Sequence, residues 1–137
     1  MPKADRLSPG AVKLLQETQV ANFTTLMPDG SPQITPVWVD VEPDGSQVII
    51  NTSVGRLKEK NLSRDPRVAM LVVDSANSHR WVMVRGTVVE RDLVHAAAHI
   101  DKMAQKYLGQ PKYPYRRGPE QRVIVRIKPH HITETGV

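Results

Sequence analysis

The sequence predicts a mainly β domain: six short antiparallel strands that close, or nearly close, into a small barrel with helices at its periphery. Three observations carry that expectation. Apolar, alternating or β-branched runs recur at short spacing along the chain. Two connections, Met27-Pro28-Asp29-Gly30 and Glu42-Pro43-Asp44-Gly45, carry Pro-Asp-Gly turn chemistry, in which proline fixes one φ angle and glycine permits a positive one. Helical periodicity is confined to a few stretches, so the regular alternation of a parallel α/β sheet is missing. Closure would also remove the edges that six short strands otherwise leave exposed.

The elements follow in order. Leu7-Ser8-Pro9-Gly10 reads as a helix start, with Ser8 as cap and Pro9 at the first helical position; Ala11, Val12, Leu14 and Leu15 then form an apolar stripe, a short lid over one end of the core. Val20 to Leu26 is the first strand, and Pro32 to Val41 the second, so that two turns join three β-rich runs into an antiparallel meander. In that second strand Ile34, Pro36, Trp38 and Asp40 face one way and Gln33, Thr35, Val37, Val39 and Val41 the other. Pro36 cannot donate to a ladder and marks an edge, a bulge or a place left open. Val48 to Ser53 leads through Gly55 into a short basic helix ended by Asp65-Pro66, and Arg67 to Val73 is a central apolar strand. Asp74 to His79 reads as loop. Trp81 to Glu90 is a long strand whose Gly86 marks a bulge or a close backbone approach. A helix from about Asp92 to Leu108 places Leu93, Ala97, Ile100, Ala104 and Tyr107 on one face. Gly109 to Glu120 is a loop, and Arg122 to Lys128 alternates as the last strand, with Val123, Val125 and Ile127 toward the core.

Size and composition bound the function. A chain of 137 residues is a single domain, residues 1–137, able to bury roughly two-thirds of the surface its unfolded form exposes. No apolar run approaches the roughly 20 residues that cross a bilayer, the N-terminal stretch is polar, and cysteine is absent. These features exclude disulfides and thiolate metal sites and lead to the expectation of a cytoplasmic protein with no membrane partner. Lys plus Arg number 19 against 14 Asp plus Glu, a formal charge of +5, which favours anionic partners. Nucleic acid is the weaker choice among them, because a stacking platform needs exposed rings and the chain has one Phe, two Trp and three Tyr, scattered rather than alternating.

The stretch Gln47 to Pro66 combines a strand end, the small polar residues Asn51, Thr52 and Ser53, Gly55, and a helix start carrying Arg56, Lys58 and Lys60. Unpaired backbone N–H groups, the helix dipole and cationic side chains coincide there, which suits a phosphate or another anion. A solvated basic helix after a tight turn remains the plainer alternative.

Together with that stretch, Asp29-Gly30-Ser31-Pro32-Gln33-Ile34-Thr35-Pro36-Val37-Trp38, Arg56-Leu57-Lys58-Glu59-Lys60-Asn61-Leu62 and Asp65-Pro66-Arg67-Val68 resemble the split β-barrel flavin and deazaflavin oxidoreductases, relatives of pyridoxamine 5'-phosphate oxidase. The strand at Val84-Arg85-Gly86-Thr87-Val88 and the ending at Arg122-Val123-Ile124-Val125-Arg126-Ile127 agree as well, and the chain is most similar to the short bacterial branch that uses the deazaflavin coenzyme F-420. The resemblance implies an FMN-binding split-barrel-like fold and a homodimer with the cofactor in a groove between subunits. It implies that Gln33, Thr35, Pro36, Val37 and Trp38 line the ring, that Asn51, Thr52 and Ser53 contact the ring edge or polyol, and that Arg56, Lys58 and Lys60 hold the phosphate and acidic tail. Asn61 belongs to the same motif, with a structural role as the alternative. The surplus of basic residues, including Arg64 and Arg67, leans toward F-420 over FMN.

The implied activity is hydride transfer between reduced F-420 and a small conjugated or heteroaromatic substrate. An FMN-dependent oxidase or reductase, a non-catalytic F-420 carrier and a basic nucleic-acid-binding barrel are the rivals. The cofactor carries that chemistry, so no catalytic acid or base is required. Tyr107, Tyr113 and Tyr115 are candidates to touch substrate at the cleft mouth, with packing as the plainer reading. His95 and His99 stand four apart, but Ala96 occupies the place where a zinc-protease motif needs glutamate; His130 and His131 are adjacent on an extended tail, so no metal site is expected.

Overall fold

The computed structural model describes residues 5–116 and 118–137. The first residues of the polar N-terminal stretch, 1–4, and residue 117 of the loop before the last strand lie outside them. The elements are α1 (Pro9–Gln16), β1 (Val20–Leu26), β2 (Pro32–Trp38), β3 (Asp40–Val41), β4 (Val48–Ser53), α2 (Leu57–Arg64), β5 (Arg67–Asp74), β6 (Asn77–Asp92), α3 (Ala96–Leu108) and β7 (Arg122–Thr135). The strands form one antiparallel sheet in the order β2-β1-β5-β6-β7-β4-β3.

Seven strands stand where six are expected, because the run Pro32–Val41 breaks at Val39. Its first part pairs with β1 and its last two residues with β4. The two halves of one run therefore occupy opposite edges of the sheet, which must curl until those edges meet. The expected three-strand meander accordingly resolves into two hairpins, β1–β2 and β3–β4, one across each Pro-Asp-Gly turn. Gly30 and Gly45 adopt the positive φ those turns require. Pro36 lies on the edge strand β2, where its missing N–H costs nothing.

Val39 is fully buried at the break. Buried backbone groups need partners, and α3 supplies them from its last turns. Tyr107 Oη accepts from the Val39 N–H at 3.0 Å and donates to Gln19 O at 2.6 Å, while Lys106 Nζ donates to Val39 O at 2.8 Å and to Leu15 O at 2.7 Å. Burial pulls the Lys106 ammonium down to a pKa of about 8.

Inside the curled sheet the core runs from Leu14 and Leu15 of α1 through Phe23, Ile50, Val72, Val82, Val123, Val125 and Ile127. Ser8 accepts from the Ala11 N–H and caps α1, as its sequence predicts. Outside the sheet, α3 covers β4 and β7 around a small second core of Ile49, Ala96 and Ile124, so both faces of those strands are buried. The helix begins at Ala96 rather than near Asp92, which ends β6, and its buried face is Ala96, Ile100, Met103 and Ala104. Leu93 precedes the helix and is exposed. The stretch expected as loop after Asp74 is only a tight turn, and β6 starts at Asn77. The last strand continues past Lys128 to Thr135, paired with β6 throughout. Gly86 marks both a register shift and a close approach, since a Cβ there would sit 2.2 Å from Lys128 O.

Tyr107→Phe keeps the ring and leaves the Val39 N–H without a partner. Such a deletion costs about 1–3 kcal/mol; it should lower the urea midpoint and leave the slope unchanged.

Candidate functional site

A cavity of about 300 Å³ opens where the end of β2, the end of β4, the start of α2 and the middle of α3 converge, lined by Val20, Pro36, Val37, Trp38, Asn51, Thr52, Arg56, Lys58, Ile100, Met103, Tyr113, Tyr115 and Arg122. The run Pro32–Val41 delivers Trp38 to this place because it must cross toward β4 just afterwards. Trp38 stacks on Tyr107, centroids 5.0 Å apart and planes within 5°, and meets Tyr113 edge-on at 5.9 Å; Tyr113 in turn meets Tyr115 at 5.7 Å. One wall is therefore aromatic and anchored, because Tyr107 is fixed by its bonds to Val39 and Gln19.

A cationic group adjoins that wall. Arg122, its side chain only 5% exposed, donates from Nε to Asn51 Oδ1 at 2.9 Å and from Nη1 to Ser53 Oγ at 3.0 Å, and lies over the Tyr113 ring at 5.1 Å. Glu120 takes the remaining contacts: Arg122 Nη1 at 3.4 Å, Ser53 Oγ, which donates to it at 3.0 Å, and Arg56 Nη2 at 3.9 Å. Lys58 has no ion pair or hydrogen bond among the described residues. Burial, then repulsion from Arg56 and Arg122, holds its ammonium below the usual lysine range. Three cations thus face one carboxylate, an imbalance that an incoming anion relieves. Arg56 caps α2 without a side-chain hydrogen bond. Glu59, buried and paired with Arg91, instead reaches back to the Gly55 N–H at 3.1 Å and fixes the turn into the helix. Thr52 Oγ1 is buried in the cavity lining with no partner among the described residues.

Of the residues singled out from the sequence, Pro36, Val37, Trp38, Asn51, Thr52, Arg56 and Lys58 come together around the cavity, as do Tyr113 and Tyr115. Ser53 lies behind it, beneath Arg122 and Glu120. Gln33 and Thr35 are outside the lining; Gln33 Oε1 and Thr35 Oγ1 are buried without partners among the described residues. Lys60 is exposed on the flank of α2. Asn61 is buried and donates to Thr25 Oγ1 at 3.0 Å and Met27 Sδ at 3.4 Å, tying α2 to β1. Arg67 spends its charge on Asp65, and Arg64 on Leu26 O and Asn61 Oδ1. Neither supplements the anchor, so the lean toward F-420 drawn from them does not hold. Arg122, Glu120, Ile100 and Met103 were not foreseen as site residues. An arginine opening an alternating strand reads as solvent-facing; here Asn51 and Ser53 of β4 and Tyr113 and Glu120 of the loop after α3 surround it.

His99 and His95 part company: His95 pairs with Asp92, and His99 turns beneath α3 to Asp40. Among the described residues no group of three or more His, Asp or Glu is placed to hold a metal ion, and no helix is long and apolar enough to cross a membrane.

The profile of the pyridoxamine 5'-phosphate oxidase family matches residues 7–136. The chain is 29% identical over 124 residues to the F420H(2)-dependent biliverdin reductase of Mycobacterium tuberculosis (strain CDC 1551 / Oshkosh), covering 90% of this chain and 84% of that protein. Among solved structures it is similar to one named F420 reductase, at 27% identity and a TM-score of 0.81 over 93% of this chain and 98% of that one. General Stress Protein 26 from Bacillus anthracis str. Sterne shares the fold at 15% identity and a TM-score of 0.66, over 92% of this chain and 91% of that one.

Asp40 reports on the cavity's support. Burial works to raise its pKa and is outweighed by the His99 hydrogen bond, the Val41 N–H and Lys102, which hold the carboxyl at about 2. A carboxylate whose pKa is depressed on folding stabilises the protein above its unfolded value, near 3.8, and that stability is lost as pH falls toward 2. Asp40→Asn should therefore lose about 2 kcal/mol of pH-dependent stability at pH 6–7. The gap between the urea midpoints of variant and wild type should close progressively below about pH 4.

Proposed function

The chain belongs to the pyridoxamine 5'-phosphate oxidase family, and from that premise we propose that it is an oxidoreductase that uses the deazaflavin F-420 to reduce a small conjugated or heteroaromatic molecule. One observation carries the reading: Arg56, Lys58 and Arg122 line the same cavity as the anchored ring of Trp38 with Tyr113. A ligand with a planar ring and an anionic end fits both at once. The names of two relatives, the biliverdin reductase and the F420 reductase, support F-420 as that ligand.

When bound, the deazaflavin supplies the hydride. The protein's residues bind, orient and exclude water. Charge-assisted hydrogen bonds of roughly 1.5–3 kcal/mol each from Arg56, Lys58 and Arg122 anchor the anionic end, and an anion seated there stabilises the charged form of Lys58. Pro36 and Val37 offer backbone and apolar surface along the ring, and Ile100 and Met103 keep the floor dry. The family description favours FMN as the second reading, and the same residues would serve it.

The cavity is at the lower end of the roughly 300–1,000 Å³ typical of small-molecule sites, and we propose that a second copy of the chain completes it. Val20 and Ile34 are 49% and 62% exposed on the outer face of β1 and β2, continuous with Pro36 and Trp38 at the cavity rim. The row through Pro36 continues as Asn22 on β1, Leu71 on β5 and Met83 on β6. Ile34→Glu should convert a dimer to a monomer in light scattering and weaken cofactor binding with it. A monomeric wild type would remove this part of the proposal.

The cofactor assignment is tested by titrating the apoprotein with F-420 and with FMN. Micromolar binding of FMN alone would overturn F-420. Arg56→Ala combined with Lys58→Ala should weaken F-420 binding by about tenfold or more while the thermal transition stays in place. Unchanged affinity would mean that the start of α2 is not the anchor.

A further inference from the structure

Arg122 is aimed into the cavity by a chain of hydrogen bonds whose far end lies outside it. Arg122 Nε donates to Asn51 Oδ1 at 2.9 Å. Asn51 Nδ2 donates to Ala96 O at 2.9 Å and meets His99 Nδ1 at 3.0 Å. His99 Nε2 stands 3.0 Å from Asp40 Oδ2, and Lys102 Nζ stands 3.7 Å from the same oxygen. The chain crosses β7, β4, α3 and β3, and the His99 side chain is only 10% exposed.

The polarity of each link is determined. The Asn51 amide must present nitrogen to the Ala96 carbonyl and oxygen to the Arg122 N–H, so its nitrogen also faces His99. Two donors cannot meet, so Nδ1 is the acceptor and the imidazole proton sits on Nε2, where Asp40 receives it. Asp40 thus selects the tautomer that leaves Nδ1 bare, and Nδ1 helps to hold the amide in the orientation Arg122 needs. Without that acceptor the amide keeps one restraint on its donor end. Arg122 then has Ser53 and Glu120 as its remaining polar partners, and the carboxylate pulls the guanidinium onto itself.

We propose that His99, oriented by Asp40, is a positioning residue for anion binding: through Asn51 it keeps Arg122 presented to the ligand instead of collapsed onto Glu120. The proposal rests on the reading of the cavity as an anion site. His99 touches no ligand in this scheme and moves no proton during turnover; it acts by fixing a dipole.

Two amide variants separate this role from simple packing. In His99→Asn the shorter side chain puts its oxygen where Nδ1 was and gives up Asp40; in His99→Gln the longer one reaches Asp40 and leaves the Nδ1 position empty. The full chain is titrated with F-420 and with inorganic pyrophosphate, and the Arg122 Nε–H is followed by proton–nitrogen NMR. The expected result is that His99→Gln weakens both ligands by about fivefold or more and loses the slowly exchanging Nε–H signal, while His99→Asn stays within about twofold and keeps it. Equal weakening by the two variants, or none by either, overturns the proposal. His99→Met, which fills the space with no comparable acceptor, replaces the Gln variant if circular dichroism shows that the latter does not fold. If wild type binds neither ligand, the anion reading itself fails. The NMR signal still decides the positioning role: its loss in His99→Gln with retention in His99→Asn supports it, and its survival in both overturns it.

Discussion

One run of chain, Pro32 to Val41, has to serve both edges of the sheet. At its crossing point Val39 lies fully buried with no strand to pair with, and its N–H and C=O are satisfied only because Tyr107 and Lys106 reach in from α3. Much follows from that constraint. The crossing brings Trp38 beside β4, the bonds to Val39 and Gln19 clamp the end of α3 to the sheet, and the clamped helix lends Ile100 and Met103 to the cavity lining. A buried lysine is an expensive partner for a carbonyl, since its ammonium is desolvated to a pKa of about 8. Its retention at this point is consistent with two carbonyls, on Leu15 and Val39, depending on it.

The cavity joins two kinds of environment that rarely coincide by packing alone. An aromatic wall is rigid and sequence-tolerant toward flat rings. Three cations stand against a single carboxylate, and burial first, then repulsion from Arg56 and Arg122, lowers the pKa of Lys58. Cations that outnumber their one carboxylate partner make a binding device more than a stabilising one. Glu120 tempers the cluster and competes for the same guanidinium, so the position of Arg122 is a balance between internal and external partners.

Much of the architecture could be read from local signals. The Pro-Asp-Gly turns, the Ser8 cap, the alternation in β2 and β7 and the bulge at Gly86 each follow from the conformational preference of a few adjacent residues. Errors concentrated where two strands or a strand and a helix meet end to end. The turn at Ser75 and Ala76 is too short for composition to show, and Asp92, which ends β6, looks like a helix start because an acidic residue favours such a position. The break at Val39 carries no turn residue at all; it is imposed by closure.

The same division runs through the site. By itself the sequence determined which residue types gather along β2, β4 and the start of α2, because Pro36, Trp38, Asn51, Thr52, Arg56 and Lys58 sit within two short segments whose chemistry is legible in order. Tertiary structure alone decided which of their neighbours matter. Lys60, Arg64 and Arg67 share the same charged stretch yet turn to solvent or to local partners, while Arg122, far along the chain, is folded under α3 into the centre of the anion end. The physical reason is that a side chain's charge is written in the sequence, but its desolvation and its partners depend on which distant strand or helix is packed over it.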